Sequence, residues 1–138
     1  MKIFFQVFII LIFSSNYSFS QKNNTEREEK IAKQSSIIFK SQVYDFGKLN
    51  LGEEGTSIFE FKNISKKDVT ITNVETSCEC TGAEWPKDPI RKNGKGIIKV
   101  TFEAEETGKF NKQVFVYTDK TGNPVKLEIK GEILSPSY

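Results

Sequence analysis

The chain has 138 residues, of which 37% are hydrophobic and 28% charged, with a formal net charge of +2. That is the size and composition of one soluble globular domain. The balanced charge excludes a nucleic-acid groove or an electrostatic membrane anchor, both of which need clustered excess charge. There is no histidine, which removes Ser-His-Asp and Cys-His catalytic arrangements and every His-based metal site.

The N-terminus reads as an address. Met1-Lys2 gives a positive start, Ile3 to Phe13 is an apolar run of eleven residues with one Gln, and Ser14 to Ser20 is polar and ends in small residues. This is the layout of a secretory signal peptide over residues 1–20, cut after Ser20. A membrane anchor fits less well, because eleven residues at a helical rise cover only about 16 Å of a hydrocarbon core about 30 Å thick. No cysteine follows the run, so a lipid-anchored form is not expected. Removal of Lys2 leaves 19 basic against 18 acidic residues, a net charge of +1. The mature protein is expected to be soluble and exported, either periplasmic or secreted. Residues 21–35 are polar and mixed in charge, with too few apolar side chains to pack, and read as a flexible leader.

From residue 36 to 134 the pattern is that of short strands separated by turn chemistry. Ile37-Ile38-Phe39 starts one, and Val43 to Phe46 a second, closed by Gly47. Leu51 to Gly55 is a turn. Thr56 to Asn63 is a strand with Phe59 and Phe61 on one face, and Val69 to Glu75 is rich in β-branched residues. Ile97 to Phe102 places Ile98, Val100 and Phe102 on one face. Phe110 to Thr118 follows, ended by a turn over Asp119 to Asn123. In Pro124 to Ile133, Val125, Leu127 and Ile129 alternate with Lys126, Glu128 and Lys130. Strict alternation means one buried and one wet face, the habit of antiparallel sheets. About seven strands over about 100 residues fit an all-β, immunoglobulin-like antiparallel sandwich, with 135–138 as a C-terminal tail. An α/β enzyme needs crossover helices, for which there is no room.

The chemically distinctive stretch is Ser77-Cys78-Glu79-Cys80-Thr81-Gly82, which holds the only two cysteines. In a flat strand, residues i and i+2 lie about 6.5–7 Å apart at Cα, at the upper edge of disulfide geometry. A bridge therefore needs a bend at Glu79. Its entropic benefit is small, about 1.6 kcal/mol for a three-residue loop before strain. Four fates stand open: a local disulfide or idle thiol pair, thiol–disulfide exchange, a soft ion such as Cu(I), and intermolecular crosslinking or covalent attachment. A closed zinc site needs four ligands, and the nearby Glu79, Glu84 and Asp88 are hard oxygen donors. The neighbouring Glu79 also disfavours a thiolate.

Trp85-Pro86-Lys87 follows at once, in a loop stiffened by Pro86 and Pro89. Trp85 reads either as an exposed contact platform or, more in keeping with its type, as a cover over one end of the core, beside the cysteine pair. Glu103, Glu105 and Glu106 read as an exposed acidic loop, and Lys66-Lys67 and Arg91-Lys92 as solvated turns. Asn23-Asn24-Thr25 and Asn63-Ile64-Ser65 match the short glycosylation sequon.

Taken in order, Tyr44-Asp45-Phe46-Gly47, Phe59 to Asn63, Ile71-Thr72-Asn73-Val74 and Ser77 to Thr81 form the first half of a motif set. Glu84 to Lys87, Pro89-Ile90, Gly94-Lys95-Gly96, Val100-Thr101-Phe102, Gly108-Lys109-Phe110 and Leu127 to Gly131 complete it. The set resembles the exported bacterial family known as domain of unknown function 1573, common in Bacteroidetes and related to Ig-like domains of the major sperm protein and Hydin type. The resemblance spans about Phe39 to Ile133 and implies an Ig-like sandwich and export; it supplies no activity. One departure is Glu79, where the family often has a glycine that eases the bend between the cysteines.

These readings lead to an expected function: a non-enzymatic, exported Ig-like domain working through contacts with other envelope or secreted proteins. Neither nucleic acid, nor a membrane after signal removal, nor a cofactor is expected. The alternative is a thiol–disulfide or Cu(I) module using Cys78 and Cys80. A third reading, carbohydrate binding through Trp85, has no supporting constellation.

Overall fold

The computed structural model describes residues 35–136. The expectations for residues 1–20, and for all but the end of 21–35, lie outside the described residues. Eight strands follow in chain order: β1 (Ile37–Phe39), β2 (Val43–Asn50), β3 (Glu54–Asn63), β4 (Ile71–Thr76), β5 (Thr81–Glu84), β6 (Lys95–Glu103), β7 (Gly108–Thr118) and β8 (Thr121–Leu134). They form two four-stranded sheets, ordered β1-β3-β6-β5 and β2-β8-β7-β4, with no helix among the described residues.

Alternation builds the core as expected. β3 alternates exposed and buried residues along its whole length, and sends Phe59 and Phe61 inward beside Ile98, Val100 and Phe102 of β6. The second sheet answers with Val114, Val116, Leu127 and Ile129, all fully buried. This two-layer arrangement is the sandwich architecture, in which the inner faces of both sheets supply one core.

Several details differ from these expectations, among them the start of β3 at Glu54, inside the expected Leu51–Gly55 turn. β2 does not stop at Gly47. It continues through a register shift between Asp45 and Lys48, where Gly47 takes a φ of 66° and its N–H donates to the Asp45 carboxylate at 2.8 Å. Only glycine adopts that conformation without steric cost, so the residue that reads as a stop is a bulge. β2 also pairs with β8 in parallel, which makes the sandwich not purely antiparallel. The two strands are nearly the first and last of the domain, so the intervening chain supplies the long crossover that parallel pairing needs. β8 starts at Thr121, because the turn is only Asp119-Lys120 and Thr118 already pairs with Thr121. Finally, Thr81–Glu84, expected in a loop, form the strand β5.

Between β3 and β4, Asn63 organises the connection. It is fully buried, with its side-chain N–H groups donating to the carbonyls of Ile90 at 2.8 Å and Lys67 at 2.9 Å. Its side-chain oxygen accepts from the Ser65 N–H and hydroxyl, both at 2.8 Å. The Asn63-Ile64-Ser65 sequon is thus occupied by structure. Val69, expected in a strand, is held instead by an isolated antiparallel bridge to Ile90.

Candidate functional site

The cysteines sit where the chain changes sheets. β4 belongs to the second sheet and β5 to the first, so residues 77–80 form the corner between layers. Polar contacts pin that corner to both. The Ser77 N–H donates to the Gln113 carbonyl at 3.0 Å, and the Gln113 N–H donates back to the Ser77 hydroxyl at 3.0 Å. The Cys78 carbonyl accepts from the Thr76 hydroxyl at 3.1 Å and from the Thr81 N–H at 3.3 Å. The Cys80 carbonyl accepts from the Glu103 N–H at 2.9 Å.

This turn provides the bend that the spacing demanded. The Cα atoms of Cys78 and Cys80 are 5.3 Å apart, inside disulfide range, and the two sulfurs stand at bonding distance. Both residues are half-buried, and Cys80 packs against the core. The Thr81 hydroxyl lies 3.2 Å from the Cys78 sulfur and 3.8 Å from that of Cys80. The pair opens onto a groove of about 550 Å³ floored by Phe102 and Phe110. Four carboxylates (Glu79, Glu103, Glu105 and Glu106) and two lysines (Lys109 and Lys112) rim it. The rim carries more acidic than basic side chains and so repels anionic thiols. Among the described residues, no three His, Cys, Asp or Glu side chains are grouped to hold a metal ion.

Trp85 is half-buried against the core, just beyond β5. The Lys87 ammonium sits 3.1 Å from its ring centroid, a cation–π contact that covers its remaining face. The indole is therefore held on two sides rather than offered as a bare platform. Trp85 and the cysteines lie at opposite ends of β5, so the expected packing beside the pair does not occur. An extended strand at about 3.3 Å per residue separates them. Pro86 lines a different groove, of about 730 Å³, on the outer face of the first sheet with Ile38, Ile97, Lys62 and Lys95.

That face carries the residues that sequence reasoning missed. Ile38, Ile58 and Ile97 are 49%, 45% and 48% exposed on the side opposite the core. Their signal was present as doubled apolar residues, Ile37-Ile38, Ile58-Phe59 and Ile97-Ile98. In a strand, only one of two adjacent residues faces the core, so each pair must leave one isoleucine in water.

Comparison with known proteins places this geometry. The family described as Protein of unknown function (DUF1573) matches residues 37–133. The chain belongs to that family. No curated protein matches its sequence. Among solved structures it is similar to a protein of unknown function from Porphyromonas gingivalis W83, at 17% identity and a TM-score of 0.61. That match covers 70% of this chain and 46% of the other, so the chain spans about half the length of that relative. It is also similar to the ASH/PapD-like domain 7 of human CEP192, at 11% identity and a TM-score of 0.63, covering 75% of this chain and 89% of that one. WR4, a C. elegans MSP family member, matches at 11% identity and a TM-score of 0.52, over 72% of this chain and 99% of its own. These likenesses show the Ig-like fold of the PapD and MSP type, the architecture implied by the family resemblance.

Proposed function

We propose that this DUF1573 domain is an exported, non-enzymatic interaction module of the cell envelope, acting through the outer face of its first sheet. The carrying observation is the set of half-exposed isoleucines Ile38, Ile58 and Ile97 on that face, with Ile38 and Ile97 lining one groove. A solvated sheet face is ordinarily polar, and here each isoleucine stands directly across from a charged residue (Lys62, Lys99 and Glu60), so the face offers apolar and charged groups together to a partner. Export is supported by the signal-peptide pattern of residues 1–20. In an oxidising compartment Cys78 and Cys80 form a disulfide that staples the corner between the sheets.

The test is recovery of crosslinked partners from the producing cell, comparing the native chain with Ile58→Lys/Ile97→Lys. Loss of the partners in the variant supports the reading. An unchanged partner set removes the face from it.

One observation favours a second reading, thiol–disulfide exchange. The Thr81 hydroxyl is 3.2 Å from the Cys78 sulfur, where it can donate to a departing thiolate, and the pair opens onto a groove. In exchange, an incoming thiolate attacks Cys80 and the electron pair of the broken bond leaves on Cys78. A reduction potential near that of catalytic dithiols supports this reading. One below about −300 mV marks a structural bridge instead. Stoichiometric copper on the reduced protein, handled without air, identifies the Cu(I) alternative.

A further inference from the structure

We infer that the partner of this face is a second copy of the chain, packed sheet to sheet and turned end for end. The inference rests on the interaction reading above and names the partner of that same face.

The outward positions of β3 are Glu54, Thr56, Ile58, Glu60 and Lys62, and those of β6 are Lys95, Ile97, Lys99, Thr101 and Glu103. The antiparallel register sets Glu54 directly opposite Glu103 at one end of the face and Lys62 directly opposite Lys95 at the other. Like charges directly opposite each other destabilise a sheet. Two such pairs of opposite sign stand on one face, all four side chains exposed. Among the described residues none of these four side chains has an ion-pair partner, whereas Lys40–Glu60 and Lys99–Glu84 on the same face are paired.

The two pairs are symmetric about the Ile58–Lys99 row. Glu54 and Lys62 each lie four residues from Ile58, and Lys95 and Glu103 each lie four from Lys99, with Ile58 opposite Lys99 in register. Consider a two-fold axis lying in the interface, across the strands, at that row. It brings Glu54 over Lys62 of the second copy and Glu103 over its Lys95. All four like-charged contacts gain opposite-charged neighbours at once, while Ile58 stacks on its own equivalent, Ile97 meets Thr101, and Lys99, already paired with Glu84, meets its own equivalent. An isologous interface requires this kind of self-complementary patch. Aligned twisted sheets cross at about −30°, so their corners diverge, and long lysine and glutamate side chains span that gap.

The face is modest in size. Only β3 and β6 are about 30 Å long, and β1 and β5 are short; at about 3.3 Å by 4.8 Å per residue the four strands offer roughly 410 Å² per copy, about half of the roughly 800 Å² per partner of a standard interface. The dimer is therefore weak, salt-sensitive and concentration-dependent.

Sedimentation of the purified protein, in a series reaching about 1 mM, provides the test. Two variants are made, Glu54→Lys/Glu103→Lys and Lys62→Glu/Lys95→Glu. Each keeps a like-charged pair in its strand register, so the monomer gains no new internal ion pair, and unchanged melting confirms an intact fold. Each variant alone should associate more than about tenfold more weakly than the native chain. An equimolar mixture of the two should restore the dimer, since one face is then all lysine and the other all glutamate at these positions.

A native chain that stays monomeric throughout the series overturns the inference. So does a dimer indifferent to both charge reversals. Failure of the mixture to associate overturns the end-for-end arrangement. A monomeric chain whose Ile58→Lys/Ile97→Lys variant still loses other envelope partners leaves the interaction reading standing and discards only the second copy.

Discussion

The side-chain amide of Asn63 reaches the carbonyl of Ile90 at 2.8 Å, across 27 residues of sequence. Its other contacts tie down Lys67 and Ser65, so one fully buried amide holds the β3–β4 connection to the segment before β6. A buried polar side chain is tolerated because all its hydrogen-bonding groups are matched.

Replacement of Asn63 should expose that dependence. Asn63→Ala is expected to cost about 1–3 kcal/mol, the penalty for stranding buried polar partners. Asn63→Asp should cost more, since a carboxylate cannot donate to the two carbonyls and would lie buried beside them. Urea denaturation with an unchanged slope measures both. Intact mass should show Asn63 unglycosylated in the folded protein, because its amide nitrogen is already engaged.

Gly96 makes a second demand on the core. A Cβ built there would stand 2.5 Å from the tip of the Phe61 ring, which is almost wholly buried and packed against Phe39. Either the ring or the strand must shift to admit it, so Gly96→Ala should destabilise by about 1–3 kcal/mol through overpacking. The smaller Phe61→Leu should relieve part of that loss when the two are combined. A double-mutant cycle by thermal melting reads the coupling.

Much of the fold was legible because alternation is a local signal. Phe59 with Phe61, Ile98 with Val100 and Phe102, and Leu127 with Ile129 each announce a buried face within five residues. β5 was not legible, since its inward residues are only Thr81 and Ala83, and Gly82 and Pro86 read as loop. The parallel pairing of β2 with β8 was hidden for a different reason. Which strands become neighbours across some 85 residues is set by the closure of both sheets, not by either strand alone. The site divides in the same way. The spacing of Cys78 and Cys80 shows that they are close and that a bend is needed. The opposition of Glu54 to Glu103 appears only once the register is known.

Tyr117 offers a pH-dependent readout of the second sheet. Its hydroxyl donates to the Glu75 carboxylate at 2.9 Å. That hydrogen bond, followed by partial desolvation and repulsion between phenolate and carboxylate, raises its pKa above the ordinary value. The sign follows from which form is held: the folded state binds the phenol proton more tightly than the unfolded state does. The contribution is full below the unfolded pKa of about 10 and is lost as the pH rises through the higher folded value. In Glu75→Gln the phenol should ionise at lower pH than in the native chain, as followed by phenolate absorbance.

The cysteine corner should matter little to stability, and that separates its roles. The Cys78–Cys80 link closes a three-residue loop, and the chain-entropy argument assigns it only about 1.6 kcal/mol. The surrounding turn is independently held by the Ser77–Gln113, Cys80–Glu103 and Thr81–Cys78 backbone contacts. Cys78→Ser/Cys80→Ser should therefore fold normally and lose no more than about 2 kcal/mol in denaturant titration. In protein taken from its native compartment, neither thiol should alkylate until reductant is added, and the mass should remain that of a chain without intermolecular crosslinks. Thiols that alkylate at once would mean an open pair in that compartment and would move the weight to exchange or Cu(I) binding. A loss well beyond about 2 kcal/mol would mean that the bridge, rather than the hydrogen bonds around it, sets the angle at which the chain passes from β4 to β5.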